Sequence, residues 1–136
     1  MYNNFMEKLD KYIEELKTDL SIERFSLDEK TLKVPAIKAK WLARLSSHKR
    51  EYRKYEKLLS EAKAKLMKEY ETKRDISYTK ATLEKIILDE DVIIKIQDNI
   101  NFEKNLIEFC DKALSLAGSM SYDIKNIIEW TKLELT

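Results

Sequence analysis

One glycine and one proline in 136 residues, with 38% of the chain charged, leave little room for hairpins and tight β turns, since average usage is about 7% Gly and 5% Pro. A single glycine also excludes a glycine-rich phosphate loop, and one histidine and one cysteine leave almost no material for nucleophilic or metal chemistry. The net charge of +1 hides a partition: residues 1–29 sum to −4, residues 30–74 to +10 and residues 75–136 to −5.

The first predicted element is an amphipathic helix over Asn4 to Leu20, marked by Phe5, Leu9, Tyr12, Ile13, Leu16 and Leu20. SIERFSLDEKTLKV then loses clear periodicity, apart from a short helical turn around Ser26 to Lys33. Pro35 suits the first position of the next helix, where its missing N–H costs nothing. From Pro35 a long helix is predicted to about Tyr70. Its apolar and aromatic positions, Trp41, Leu45, His48, Tyr52, Tyr55, Leu59, Ala62 and Leu66, step by 4, 3, 4, 3, 4, 3 and 4, an a/d heptad pattern. ETKRDISYTK, residues 71–80, reads as a loop, and a short helix follows from Tyr78 to Leu88.

Asp89-Glu90-Asp91 marks a break or a helix start, because acidic side chains suit the positive end of a helix dipole. Ile100, Leu106, Ile107, Phe109, Ala113, Leu114 and Ala117 describe a further helix, with Gly118 as its left-handed C-cap. Ser121 then caps a final helix through Ile124, Ile127, Ile128 and Leu133. The fold class is all-α: one domain with an N-terminal helix and irregular stretch (1–34), a long basic helix (35–70) and C-terminal helices (78–136). Those last helices are apolar around a wide arc. Leu106, Phe109, Leu114, Ile124, Ile127 and Ile128 are the expected self-association surface, the alternative being that they fold back on the long helix.

Little chemistry is expected. His48 sits on the helix seam with no second histidine or cysteine nearby, and reads as packed. Cys110 lies in an apolar helix as a small hydrophobe and has no partner for an internal disulfide, which fits a reducing, cytosolic compartment. The amino-terminal residues lack a basic and then an apolar region of a secretory signal. No apolar run approaches the ~18 residues of a membrane span. Paired carboxylates at 89–91 are a conceivable Mg²⁺ site, but consecutive helical residues point about 100° apart, so a helix start is the simpler reading. No enzyme activity, cofactor or metal is expected.

What remains is the run SSHKREYRKYEKLLSEAKAK, residues 46–65, with seven Lys or Arg against three Glu. Lys49, Arg53 and Lys57 form one row along the helix, and Arg50, Lys54 and Lys57 an adjoining one. Lys63 and Lys65 flank the seam. A solvated helix face normally mixes both signs for i,i+4 pairing; here basic residues outnumber acidic ones by two to three to one, so the excess calls for an acidic counterpart. Nucleic-acid phosphates are one candidate and an acidic protein surface is the other, which leaves a helical adaptor or structural protein as the alternative function.

Four blocks carry a resemblance to a known family: KWL at Lys40 to Leu42 followed by Ser46-Ser47 and the basic helix; KAKL at Lys63 to Leu66; LIEFCDKAL at Leu106 to Leu114; and IKNIIEW at Ile124 to Trp130. In order and spacing they resemble UvsY, the phage recombination mediator family, from about Lys40 onward. The resemblance implies an accessory protein of DNA recombination, repair and replication in the cytoplasm of an infected bacterial host. Such a protein binds single-stranded DNA coated with the phage single-strand-binding protein and helps a RecA-like recombinase of the UvsX type to load. It also implies a ring-like homo-oligomer, hexamer or heptamer, held by C-terminal helices. Lys63 and Lys65 match the family's DNA-contact element, with Arg50, Lys54, Lys57 and Lys68 as further phosphate contacts. The second position of that element is usually Arg and here is Lys, which keeps the charge but loses the planar fork. The family's loop glycines are absent from ETKRDISYTK.

Overall fold

The computed structural model describes residues 2–73 and 78–135. They form four α-helices: α1 (Tyr2–Leu20), α2 (Leu27–Lys73), α3 (Lys80–Leu88) and α4 (Asp91–Leu135), with a 3-10 turn at Arg24–Ser26. The predicted first and third helices match α1 and α3 closely. The predicted loop is shorter than expected, because α2 runs through Glu71, Thr72 and Lys73. Its residues 74–77 lie outside the described residues.

Both long helices overrun a predicted breaker. Pro35 is not the first residue of α2 but lies inside it, and the helix starts instead at Leu27, with Asp28 and Glu29 in its positive first turn. The Thr31 carbonyl, which would accept the N–H that proline lacks, sits with Pro35 on an exposed turn where water serves it. Val34, Ile37, Trp41 and Leu45, all buried, supply the packing that holds the helix across the proline. Gly118 likewise is not a C-cap: α4 continues through it and through Ser121, and no described residue has a positive φ. Ala117, Met120 and Ile124, at most 3% exposed, carry the buried stripe past the glycine, and their packing outweighs a penalty of about 1 kcal/mol for glycine in a helix.

The chain divides into two compact units, residues 1–47 with 106–136, and residues 48–105. In the first, an aromatic cluster centres on Trp41, which is fully buried. Tyr12 meets it edge-on at 5.6 Å and Phe109 at 5.8 Å between ring centroids, the arrangement that the ring quadrupoles favour. The Trp41 indole N–H donates to Asp19 Oδ2 at 2.9 Å, so the ring is buried without stranding its donor. Cys110, Ala113 and Ala117 fill the α4 side of this core, with the Cys110 side chain fully buried.

In the second unit, Leu83 and Ile87 of α3 and Ile93 and Ile100 of α4 are buried. Thr79 caps α3 by accepting the Thr82 N–H at 3.2 Å. The acidic turn does begin α4: the Glu90 carbonyl accepts the N–H groups of Ile93 and Ile94. Tyr70, near the end of α2, donates its hydroxyl to the Glu90 carboxylate and so ties α2 to that turn. His48 is buried with its Nδ1 2.6 Å from Glu103 Oε2, the packed seam position that the heptad pattern implied.

Because Gly118 has helical backbone and no heavy atom within 4 Å of an added Cβ, Gly118→Ala is expected to raise stability by about 0.5–1 kcal/mol. Urea unfolding checks this; a loss would mean that the glycine is required for its backbone freedom.

Candidate nucleic-acid interface

α2 carries basic residues along its length, but the two units treat them differently. In the first, Lys40 and Arg44, one turn apart, face Glu15 and Asp19, one turn apart on α1. Lys40 Nζ lies 2.5 Å from Asp19 and 3.7 Å from Glu15, and Arg44 Nη1 lies 2.6 Å from Glu15 Oε2. The guanidinium of Arg44 also lies 4.5 Å from the Tyr12 ring centroid and 4.9 Å from that of Trp41, a cation–π position. The hydrogen bond from Arg44 lowers the Glu15 carboxyl pKa below its ordinary value of 4.5; partial burial opposes the shift, and the charges of Arg44, Lys40 and Lys11 add to it. These cations are consumed by the fold.

In the second unit the same helix presents Arg50, Lys54, Lys57, Lys65 and Lys68, all exposed, with Lys63 half-buried. Among the described residues none of the six forms an ion pair. The cause is the helical period. The seam residues Tyr52, Tyr55, Leu59, Ala62 and Leu66 are half-buried, so the lysines between them are turned outward. From Arg50 to Lys68 this face extends about 27 Å at 1.5 Å per residue. The structure therefore brings five of the six predicted DNA contacts onto one solvated face, within an arc of about 80°, and sets Lys63 apart from it, beside the half-buried seam. There it borders a groove with Ala64 and Met67 of α2 and Lys80, Glu84, Ile87 and Leu88 of α3. Lys80 was not legible as a neighbour of Lys63, since nothing local in sequence links them.

The expected self-association residues are placed less openly. Leu106 and Ile124 are buried, at 0% and 3% exposure, and Phe109, Leu114, Ile127 and Ile128 are half-buried; Phe109 packs on Tyr12 and Trp41. The folding-back alternative accounts for Leu106, Phe109 and Ile124. The exposed apolar side chains of this part of α4 are instead Leu116, Tyr122, Trp130, Leu133 and Leu135. At 100° per residue Tyr122, Trp130 and Leu133 share an arc of about 80°, roughly opposite Ile124. The sequence signal for Trp130 is its register against Ile124, six residues apart and so about 120° away around the helix.

Among the described residues no group of three or more His, Cys, Asp or Glu is placed to hold a metal ion, and no helix is long and apolar enough to cross a membrane.

The profile of the family described as "Recombination, repair and ssDNA binding protein UvsY" matches residues 15–135. The chain belongs to the UvsY family. Crystal structures of the bacteriophage T4 recombination mediator protein UvsY are similar throughout: one has 25% identity and a TM-score of 0.83 over 93% of this chain and 98% of its own. A second lattice form has the same score and identity over 94% and 98%, and a third has 26% identity and a TM-score of 0.78 over 89% and 96%. No curated protein sequence matches the chain. UvsY family membership thus covers both units, including the unpaired face of α2.

Two outcomes separate the paired from the unpaired cations. Lys65→Ala is expected to leave urea stability within about 0.5 kcal/mol of wild type, whereas Arg44→Ala lowers it measurably. Because the folded Glu15 pKa is depressed, its stabilising contribution is present above 4.5 and is lost as pH falls through the folded value. The melting temperature of Glu15→Gln should therefore fall less than that of wild type on acidification; equal falls would show that this pairing does not matter.

Proposed function

We propose that the protein is a recombination mediator that binds single-stranded DNA and promotes loading of a RecA-like, UvsX-type recombinase onto strands covered by the phage single-strand-binding protein. It acts in the cytoplasm of the infected host and works by binding, without a catalytic step or cofactor. The observation that carries this reading is the row of basic side chains on α2 that form no ion pair among the described residues, in a family whose description is recombination, repair and single-stranded DNA binding. Like charges held along one helix face repel unless a polyanion covers them, and phosphates release counterions on doing so.

The physical mechanism is multivalent. A homo-oligomer, hexamer or heptamer, arrays several such faces, so that weak contacts combine through effective concentration. A strand held along them is strained away from its resident single-strand-binding protein, which exposes a site for recombinase nucleation. For the assembly, Leu116, Tyr122, Trp130 and Leu133 are the apolar side chains a second copy meets, with the half-buried Ile127 beside Leu116 at their edge and the half-buried Ile128 on the Ile124 side of the helix. Leu106 and Ile124 act from inside the core by holding α4 in place.

Titration of labelled single-stranded and duplex oligonucleotides at several salt concentrations tests the reading. Affinity for single strands should fall with a log–log slope of about −0.7 per phosphate neutralised, and Lys65→Ala should make the slope shallower by about 0.7. Trp130→Asp with Leu133→Asp should reduce the sedimenting mass first and, through lost avidity, weaken DNA binding more than tenfold, at the low end of the roughly hundredfold scale of such effects. Absence of binding to either oligonucleotide at low salt would turn the basic face into a docking surface for an acidic protein.

A further inference from the structure

We propose that the groove between α2 and α3 is a nucleotide subsite, with Lys80 of α3 a phosphate contact that lines it together with Lys63 of α2. The inference rests on the DNA-binding reading above and adds to it a second helix and a place for a base. On α3, Lys80, Glu84, Ile87 and Leu88 fall at i, i+4, i+7 and i+8, one face of the helix. On α2, Lys63, Ala64 and Met67 fall within one turn. Together these seven residues line a groove of about 340 Å³, at the small end of the range for ligand pockets.

The composition of the groove fits a nucleotide. Its floor is Ile87, 2% exposed, and one wall is Leu88, an apolar side chain 52% exposed. Met67 is half-buried beside them, and a thioether is a favourable neighbour for an aromatic ring. Lys63 and Lys80 stand on opposite helices. Lys63 is half-buried, as expected for a stem laid along an apolar surface with its ammonium group at the rim. Neither lysine forms an ion pair among the described residues, although Glu84 lines the same groove.

Two cations over an apolar floor also suit an acidic peptide. Continuity decides for nucleic acid: Ala64, an exposed residue of the groove, follows Lys57 by seven residues and precedes Lys68 by four, which puts it on the same side of α2, so a strand on that face passes the groove mouth. A base entering it rests on Met67, Ile87 and Leu88, while its flanking phosphates reach Lys63 and Lys80. The free carboxylate of Glu84 accepts a hydrogen bond from an exocyclic amine, as acidic side chains do from cytosine N4. Thymine has no such amine, so the subsite favours cytosine over thymine.

The test uses the full-length chain, labelled oligo-dT and oligo-dC of equal length, and fluorescence anisotropy at several salt concentrations. Circular dichroism melts confirm that each variant is folded. Lys80→Ala should weaken binding about fivefold and make the salt slope shallower by about 0.7. Lys85→Ala, on α3 but outside the groove, should change neither by a comparable amount. Leu88→Gln should weaken binding without altering the slope, and Glu84→Gln should abolish a dC-over-dT preference. If Lys80→Ala binds as wild type while Lys65→Ala is weakened, the groove inference fails and the α2 track stands. Equal losses for Lys80→Ala and Lys85→Ala reduce the effect to general electrostatics and overturn the subsite. If wild type binds neither oligonucleotide, the DNA reading itself fails and the subsite with it.

Discussion

The molecule depends on how the charge of α2 is divided. Over the first part of that helix, Lys40 and Arg44 are neutralised by Glu15 and Asp19 of α1, and the same contacts seat Trp41 in the aromatic core. Beyond His48, the basic residues Arg50, Lys54, Lys57, Lys63, Lys65 and Lys68 form no ion pair among the described residues. A fold that neutralised both parts would have no field to offer a polyanion. One that neutralised neither would have to hold α1 against α2 by apolar contact alone. The first part of α2 is thus a structural element, and the second, on the proposed function, is a binding element built on the same helical period.

Much of this was legible because period is a local property. The spacing from Trp41 to Leu66 fixed which side of α2 faces inward, and burial follows it: Trp41, Leu45 and His48 are buried and the next five seam positions half-buried. The outward direction of Arg50, Lys54, Lys57, Lys65 and Lys68 is a corollary. Pro35 and Gly118 were misread for the opposite reason. Each is a local breaker whose cost is about 1 kcal/mol for glycine and about 3 for proline, and each sits between buried residues whose packing is worth more. Propensity sees the breaker; only the tertiary contacts show what outweighs it.

Pairings between distant residues were not legible either. Glu15 and Arg44 lie on different helices, as do Lys63 and Lys80, and no spacing rule joins them. The C-terminal apolar arc divided in a similar way. Ile124 and Leu106 were apolar enough for either a core or an interface, and the structure places them in the core, where they leave Tyr122, Trp130 and Leu133 outside. An amphipathic helix with apolar residues on two faces is expected to satisfy one within its own chain and one with a partner. On the proposed function, folding and assembly take opposite sides of α4, so assembly need not disturb the core that seats Trp41.

The central claim is that the unpaired cations of α2, and not the basic charge of the chain as a whole, hold single-stranded DNA. Lysine acylation read by peptide mass spectrometry, with and without a saturating oligonucleotide, tests it residue by residue. The account predicts protection of Lys54, Lys57, Lys63, Lys65 and Lys68, with no change at Lys40, already engaged by Asp19 and Glu15, or at the exposed Lys8 and Lys11 of α1. Uniform protection, or protection centred on α1, would contradict it.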